Sequence, residues 1–164
     1  MKRFISIGAV VGLLAAAPGL AAQAKHVDYS GVWVLDLAKS SGDGLPAAAT
    51  WTIVQHGDSI ITDRETDTGQ GLGPVKSHVV VTTDGRTTSN SVPQGAEMMT
   101  TSSTGTWDST GVMLRTSGNA QGYDFVLTDH WTLGADGKTL VSDRTVTVGD
   151  QVVQQNVLTF NRKP

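Results

Sequence analysis

Two stretches of the chain place a tryptophan and an arginine at the same spacing within similar sequences. They are WTIVQHGDSIITDR over 51–64 and WTLGADGKTLVSDR over 131–144. A guanidinium is attracted to the face of an indole ring, and it also binds carboxylate or phosphate groups in a bidentate manner. The arginines therefore have two interpretations. Either each one covers its tryptophan and holds a hairpin in register, or the arginines offer positive charge to an anionic ligand.

The turn residues of each copy indicate a β-hairpin. Gly57-Asp58 and Gly137-Lys138 both fit a two-residue turn with glycine in the first position. Such a turn would place each tryptophan directly opposite its arginine, on a mostly apolar face of the hairpin. A turn shifted back by one residue would make them diagonal neighbours on the same face, and only a three-residue loop would put them on opposite faces. A looser third version over 107–115 adds one more arginine to the set. The candidate ligand-binding residues are Trp51, Arg64, Arg115, Trp131 and Arg144.

The residue types that usually perform catalysis have no recognisable spacing. None of the four histidines forms an H-x-H or H-x-x-x-H pair, so a metal site would need ligands from distant strands. The chain has no cysteine and no G-x-S-x-G motif, and nothing distinguishes Glu65, Glu97 or an aspartate as one of a catalytic carboxylate pair. We therefore predict no catalytic residues, no metal site and no cofactor, while an enzyme stays open as an alternative.

The elements that carry these residues are predicted to be β-strands throughout. Apolar and polar residues alternate with period two, and threonine and valine are abundant. Longer loops are predicted over 37–49, 67–74 and 92–97. About ten antiparallel strands in sequence predict an up-and-down barrel or a sandwich. The predicted strands cover 30–36, 50–56, 59–66, 75–83, 86–92, 98–107, 112–117, 122–133, 139–148 and 151–161.

The first residues of the chain have the pattern of a secretory signal peptide. A positive start at Lys2-Arg3 precedes an apolar run over 5–17 and a small-residue cleavage site that ends at Ala24. The apolar run is too short to span a membrane. We predict a signal peptide over 1–24 and one mature domain over 25–164, without a transmembrane segment and located in the periplasm or secreted.

The charge of the chain excludes one class of partner. Its net charge is −3, and removal of the leader would also remove Lys2 and Arg3. An interface with nucleic acid needs a basic surface, so we predict no nucleic-acid partner. Most of the acidic residues are aspartates, which are typical of turns between strands. The oligomeric state is not predicted.

The opening strand carries a family resemblance. Gly31-Val32-Trp33 resembles the lipocalin G-x-W signature, and YSGVWVLDLAKS over 29–40 resembles the start of small exported lipocalin-like proteins of bacteria. The resemblance implies an all-β, antiparallel meander that closes into a lipocalin-like barrel of about 8–10 strands, with Trp33 across one end. It also implies that a late arginine, here Arg162, lies against that tryptophan. Gly31, Trp33 and Arg162 are thus expected to have structural roles.

Three functions follow from these observations. The preferred one is a non-enzymatic binding protein that holds a small apolar or amphiphilic ligand inside the barrel. The second is an envelope interaction or stress module with a filled barrel, which would bind another protein through loops or a strand edge. The third is an enzyme with the barrel as its cleft. The third function requires polar, titratable groups that converge inside the barrel, and an interior without them would exclude it, whereas a filled interior would favour the second.

Overall fold

The computed structural model describes residues 26–164, so the predicted leader over 1–24 and its cleavage site lie outside the described residues. This part of the chain forms eleven strands and, between β1 and β2, one 3₁₀ helix, Leu37–Lys39. The strands are β1 (Gly31–Leu35), β2 (Ser41–Gly42), β3 (Ala48–His56), β4 (Ser59–Asp67), β5 (Val75–Thr82), β6 (Thr88–Gln94), β7 (Glu97–Trp107), β8 (Val112–Ala120), β9 (Tyr123–Leu133), β10 (Thr139–Val148) and β11 (Gln151–Arg162).

The strands form one antiparallel sheet that curls into a nearly closed barrel. Hydrogen-bonded neighbours follow the order β5-β4-β3-β1-β11-β10-β9-β8-β7-β6, and β2 pairs with β11. Since β1 pairs with both β3 and β11, the first and last described strands meet inside the sheet. The two ends of the path, β5 and β6, lie side by side without a backbone ladder between them. We call this line of contact the β5–β6 seam.

The predicted all-β meander that closes into a barrel is confirmed, and each predicted strand matches an observed one. Two loop predictions are wrong. Residues 92–94 continue β6, because their pairing with β7 extends to the turn at Gly95 and Ala96. The segment over 37–49 contains the 3₁₀ helix, β2 and the start of β3, because hydrogen bonds to β11 give it a regular structure.

Aromatic side chains close the end of the barrel at which β1 begins, which we call the base. Trp33 and Tyr29 are completely buried there. The Trp33 indole Nε1 donates a hydrogen bond to the Tyr29 carbonyl oxygen at 2.8 Å, and the Tyr29 hydroxyl donates to the Trp131 carbonyl oxygen at 2.7 Å. A buried indole or phenol usually has a partner for its polar hydrogen. These two bonds hold the segment before β1 across the base.

Arg162 covers the Trp33 ring at the end of β11. Its guanidinium carbon lies 4.8 Å from the ring centroid, and its Nη2 donates a short hydrogen bond to the Ser30 carbonyl oxygen. Gly31 has φ +140°, and a Cβ at this position would be 3.0 Å from the Arg162 Nε atom. Glycine is therefore required on both conformational and steric grounds. These are the contacts that the sequence resemblance implies for Gly31, Trp33 and Arg162.

The opposite end of the barrel, which we call the mouth, carries the turns at 95–96 and 121–122. The segment over 43–47 and the loop over 68–74 also lie at this end, between β2 and β3 and between β4 and β5. Within residues 26–164, no helix has the length and apolar character needed to cross a membrane.

Candidate ligand-binding site

A charged cluster lies inside the barrel, where β9 and β10 pair. Arg144 donates two hydrogen bonds to the Asp129 carboxylate, from Nε at 3.2 Å and from Nη2 at 2.6 Å. The Ser142 hydroxyl donates a third bond to Asp129, at 2.5 Å. Asp129 and Ser142 are 1% and 0% exposed, while the Arg144 side chain is 16% exposed, so the carboxylate of the ion pair is buried and its guanidinium is partly exposed. A buried carboxylate is stable only with such partners, which indicates that Asp129 and Arg144 act as a unit.

Arg64 enters the same interior from β4 but has a different set of contacts. Its guanidinium carbon lies 4.7 Å from the Trp51 ring centroid and 5.8 Å from that of Trp131. Among the residues described, none accepts a hydrogen bond from Arg64 or forms a salt bridge with it, and its Nε atom is buried without a partner. The interior therefore holds two guanidinium groups and one carboxylate, which leaves one positive charge without a counter-ion.

The surroundings of Asp129 keep it ionised. Burial raises the pKa of Asp129, but the Coulombic attraction of Arg144, its hydrogen bonds and the more distant charge of Arg64 lower it further than burial raises it. The net direction is a pKa below that of an ordinary aspartate. Asp129 therefore neutralises Arg144 at all pH values near neutrality.

Arg64 stays protonated at neutral pH although its environment disfavours the charge. Burial lowers the pKa of Arg64 to about 10, and repulsion by Arg144 contributes in the same direction, while Asp129 opposes both. A lowered pKa means that the folded protein bears a free-energy cost for this cation. An anion that entered the barrel and approached Arg64 would reduce that cost, because it would supply the missing counter-charge and hydrogen-bond acceptors.

Arg64 and Asp129 border a cavity of about 240 Å³ inside the barrel. Its wall is mostly apolar, with three hydroxyl-bearing side chains, Ser77, Thr101 and Thr116, in addition to the two charged ones. The apolar lining comes from β5 to β9 and consists of Val79, Val81, Val92, Met99, Leu114, Phe125 and Leu127. The cavity thus combines one cation with a wall of aliphatic and aromatic side chains, which is a combination that suits an amphiphilic molecule.

A second, more polar space of about 390 Å³ lies on the mouth side of Arg144, and we call it the mouth chamber. Leu45, Pro46 and Thr66 line it together with Gln154 and Asn156 from β11. None of its lining residues also lines the apolar cavity. The ion pair of β9 and β10 stands between the two spaces, with Arg144 on one side and Asp129 on the other.

The first Trp-Arg hairpin has the predicted register. The turn between β3 and β4 consists of Gly57 and Asp58, and Trp51 pairs directly with Arg64. Because Trp51 is buried and the two residues are opposite each other, both side chains lie on the inner face of the barrel. The alternation of β4 thus places the Arg64 side chain in the interior, next to the Trp51 indole.

The second hairpin has the shifted register, in which Trp131 and Arg144 are diagonal neighbours on the same face, and not the register with the two directly opposite each other. Trp131 pairs with Ser142, and Arg144 pairs with Asp129, because the turn extends over 134–138 instead of consisting of two residues. The Gly134 N–H donates to the Thr139 carbonyl oxygen and closes this longer turn. Arg144 remains on the inner face, but its guanidinium lies 5.6 Å from the Trp51 ring of the other hairpin.

Arg115 does not belong to the candidate site. It lies on β8 next to Leu114, which is buried and lines the cavity, and alternate residues of a strand point to opposite faces. Arg115 is accordingly exposed on the outer surface of the barrel. The structure therefore brings together Trp51, Arg64, Trp131 and Arg144 from the candidate set and leaves Arg115 out.

The histidines lie outside the cavity lining. His78 contacts Asp63 at 2.6 Å on the outer surface, and His130 contacts Asp108 at 3.0 Å near the base. Over residues 26–164 there is no group of three or more His, Cys, Asp or Glu side chains that could hold a metal ion. The interior carboxylate, Asp129, accepts hydrogen bonds from Arg144 and Ser142.

Comparison with solved structures places this barrel among known folds. The chain is similar to a point mutant of the fluorescent protein UnaG, with 18% identity, a TM-score of 0.50 and coverage of 83% of this chain and 96% of that one. It is also similar to a secretory abundant heat soluble (SAHS) protein from Ramazzottius varieornatus, with 15% identity, a TM-score of 0.51 and coverage of 82% and 95%. They share its calycin-like barrel fold.

These similarities extend over almost the whole of both solved structures, so the barrel is the common element. At such low identity they establish the fold alone. No protein-family model matches the chain, and no curated protein matches it either. What the barrel does is therefore argued from its own interior.

Asp129 and Ser142 belong to the candidate site, and the sequence interpretation missed them. It expected most of the acidic residues to lie in solvated turns, and Asp129, buried within β9, is an exception. The signal that could have identified it is the alternation of β9, since Asp129 is two residues from Trp131 and so shares its inner face. The same argument places Ser142 inside, two residues from Leu140.

Proposed function

We propose that this protein is a non-enzymatic binding protein whose barrel holds a small amphiphilic monoanion. The observation that carries the proposal is Arg64, a cation that borders a mostly apolar cavity and has no acceptor within residues 26–164. The similar solved structures share the fold and assign no ligand to this chain. The support for a ligand comes from the charge and lining of the interior.

The charge balance of the interior favours a single negative charge on the ligand. Asp129 already compensates Arg144, and its low pKa keeps it ionised. One carboxylate or sulfonate would complete the balance at Arg64, whereas a dianion would bring an excess negative charge beside Asp129. A cation would be repelled by two guanidinium groups. Charge-assisted hydrogen bonds to a guanidinium are typically worth about 1.5–3 kcal/mol.

The volume of the cavity limits the size of the apolar part. Binding sites for drug-sized molecules usually measure about 300–1,000 Å³, and a cavity of about 150 Å³ holds benzene. A space of about 240 Å³ lies between these cases and suits one or two rings or a chain of medium length. Each buried methylene should improve the dissociation constant about fourfold until the chain exceeds the cavity.

The test is a titration of straight-chain carboxylates of increasing length, each compared with its uncharged amide, by isothermal titration calorimetry. We expect the carboxylates to bind and the amides to bind at least about tenfold more weakly. Affinity should increase with chain length and then stop increasing. Failure of every carboxylate to bind, or equal binding of carboxylate and amide, would contradict the proposed monoanion.

A matched pair of variants separates the interior cation from general surface charge. Arg64→Met removes the uncompensated guanidinium, and Arg115→Met removes an exposed guanidinium from the outer face. We expect Arg64→Met to reduce carboxylate affinity by about 10- to 100-fold and to leave amide affinity nearly unchanged. Arg115→Met should bind both like the unmodified protein. Native mass spectrometry of protein from its own host would then identify the natural ligand.

We also propose that the chain is an exported, lipocalin-like bacterial protein that acts in the periplasm or outside the cell. Support comes from the leader pattern over 1–24 and from the opening strand around Trp33. Fractionation of cells that produce the full-length chain, followed by N-terminal sequencing, tests this. A mature chain that begins near Lys25 is expected outside the cytoplasm, and an uncleaved cytoplasmic chain would contradict it.

A further inference from the structure

Among the residues described, side chains of β6 form hydrogen bonds across the β5–β6 seam only with the backbone of Val80. The Val80 N–H donates to Asn90 Oδ1 at 2.7 Å, and Asn90 Nδ2 donates back to the Val80 carbonyl oxygen at 3.0 Å. The Thr88 hydroxyl donates to the same carbonyl oxygen at 2.6 Å. The Asn90 amide thus takes the place of a peptide group in a strand ladder. These bonds join β5 and β6 on the base side of the seam.

On the mouth side of Val80, an open groove of about 650 Å³ lies mostly against β3, β4 and β5 and reaches across the seam to β6 and β7. Ser77 and His78 border it from β5, while Ser91 of β6 and Met98 of β7 border it from the other side. Within residues 26–164, the hydrogen bonds that join β5 to β6 all lie at Val80 or nearer the base. The strands are therefore unbonded along the groove.

Two residues line both the outer groove and the inner cavity. They are Arg64, which points inward from β4, and Ser77, which is half-buried on β5. The guanidinium is thus adjacent to both spaces, and the side chains of Arg64 and Ser77 lie between groove and cavity. By contrast, the mouth chamber shares no lining residue with the cavity.

From this geometry we propose that the ligand enters and leaves the cavity through the mouth-side half of the β5–β6 seam, and that Asn90 limits how far the seam opens. This inference rests on the proposed function, because it concerns the path of the same ligand. The anionic group would meet Arg64 at the inner edge of the opening, so that the cation lies on the path as well as at its end.

Opening of the barrel wall breaks fewer hydrogen bonds at the seam than between β4 and β5 or between β6 and β7. Separation of two paired strands elsewhere would break a ladder of backbone hydrogen bonds along their full length. Separation of β5 from β6 towards the mouth breaks no hydrogen bond of the described residues, and further opening breaks only the few side-chain hydrogen bonds of Asn90, Thr88 and Thr82. Local openings use the segments with the fewest such bonds.

The test compares two tryptophan substitutions on the same strand. Ser91→Trp places a large side chain at the groove, and Ser89→Trp places it on the same exposed face of β6 beside the bonded part of the seam. Stopped-flow binding of the tightest carboxylate from the length series gives the rates. We expect Ser91→Trp to slow association and dissociation by about tenfold with a nearly unchanged dissociation constant, and Ser89→Trp to change neither rate.

A second variant opens the seam instead of obstructing it. Asn90→Ala removes the amide contact to Val80, and we expect both rates to increase while the dissociation constant changes little, in protein whose folding is verified by circular dichroism. Unchanged rates in both Ser91→Trp and Asn90→Ala would overturn the inference and leave the proposed function intact. Absence of binding by the unmodified protein would overturn the proposed function first, and the inference with it.

Discussion

At the scale of single residues, three arginines lie over tryptophan rings, and their other contacts give them different roles. Arg162 covers Trp33 at 4.8 Å and also donates to the Ser30 carbonyl oxygen, which joins the end of β11 to the segment before β1. Arg144 lies near Trp51 but is paired with a carboxylate. Arg64 lies closest to Trp51, at 4.7 Å, and has no acceptor among the residues described. Stacking on an indole therefore does not distinguish these three arginines, whereas the number of hydrogen-bond acceptors separates Arg64 from the other two.

The interior ion pair gives a prediction about stability. Asp129→Asn should destabilise the protein by about 3–5 kcal/mol, because it leaves two buried guanidinium groups without a counter-charge. Replacement of both partners, Asp129→Leu with Arg144→Met, should reduce the free energy of unfolding much less than the single change. The double variant removes the carboxylate and its guanidinium together, so neither is left unpaired. Urea unfolding measures both. Equal losses in the single and double variants would show that the pair is not a unit.

The buried indole at the base gives a second prediction at this scale. Trp33→Ala should reduce the free energy of unfolding by about 3–5 kcal/mol, as truncation of large core aromatics does. Trp107→Ala is the matched control, because Trp107 is only partly buried and stacks on His26 in the segment before β1. We expect Trp107→Ala to reduce the free energy of unfolding less than Trp33→Ala does. A loss below about 1 kcal/mol for Trp33→Ala in denaturant unfolding would mean that this ring does not close the base.

At the scale of elements, the sequence predicts the strands well, because strict alternation and Gly-Asp turns leave few other choices. The β3–β4 register follows from Gly57-Asp58, the only turn residues between those strands. The β9–β10 register does not follow from its sequence, because Gly134, Asp136 and Gly137 all suit turn positions and compete to define the loop. Tertiary contacts decide between them, and these are not visible in a local pattern.

The candidate site could be predicted in part for the same reasons. Alternation places Trp51 and Arg64 inside once the first hairpin is fixed. The volume of the cavity and the opening beside it depend on how β5 to β9 curve around one another, which is set by long-range packing. Closure of the barrel wall also depends on whether β5 and β6, the two ends of the strand order, form a backbone ladder. No residue pattern in either strand specifies that pairing.

Glycine at the turn before β8 yields a prediction about an element. A Cβ at Gly111 would lie 1.9 Å from the Trp131 carbonyl oxygen, so Gly111→Ala must displace β8 from β9. We expect a loss of about 3 kcal/mol or more in the free energy of unfolding. At Gly57, φ is +55° but no atom lies within 4 Å of the position that a Cβ would take, so Gly57→Ala should cost only about 1 kcal/mol. Thermal unfolding of both variants checks this, and the reverse order would contradict the steric explanation.

At the scale of the whole molecule, the base connects strands that are distant in the chain. The segment before β1 crosses the barrel end, and Tyr29 bonds to the backbone of β9 at Trp131. Next to it, β1 joins β3 to β11 and so completes the wall on that side. The seam between β5 and β6 lies at the two ends of the strand order, remote from β1 along the sheet. The barrel is thus firmly joined at the base and least bonded at the mouth side of the seam.

This arrangement makes the stability of the barrel sensitive to high pH through one phenol. Burial raises the pKa of Tyr29 to about 12, and the charge of Asp108 acts in the same direction, against the effect of a backbone hydrogen bond. In the unfolded chain a tyrosine ionises near pH 10. The folded state therefore favours the protonated phenol, and the stability that it contributes is complete below about pH 10 and is lost as the pH rises towards about 12.

Comparison with Tyr29→Phe isolates this contribution, because every other titrating group is common to both proteins. At neutral pH the variant should be less stable by about 1 kcal/mol, since it lacks the hydrogen bond to the Trp131 carbonyl oxygen. Between about pH 10 and 12 the unmodified protein should lose about 2 kcal/mol relative to the variant, so the two unfolding free energies should converge and then cross. Urea unfolding across this range measures the difference, and two parallel curves would show that the Tyr29 hydroxyl titrates as it does in the unfolded chain.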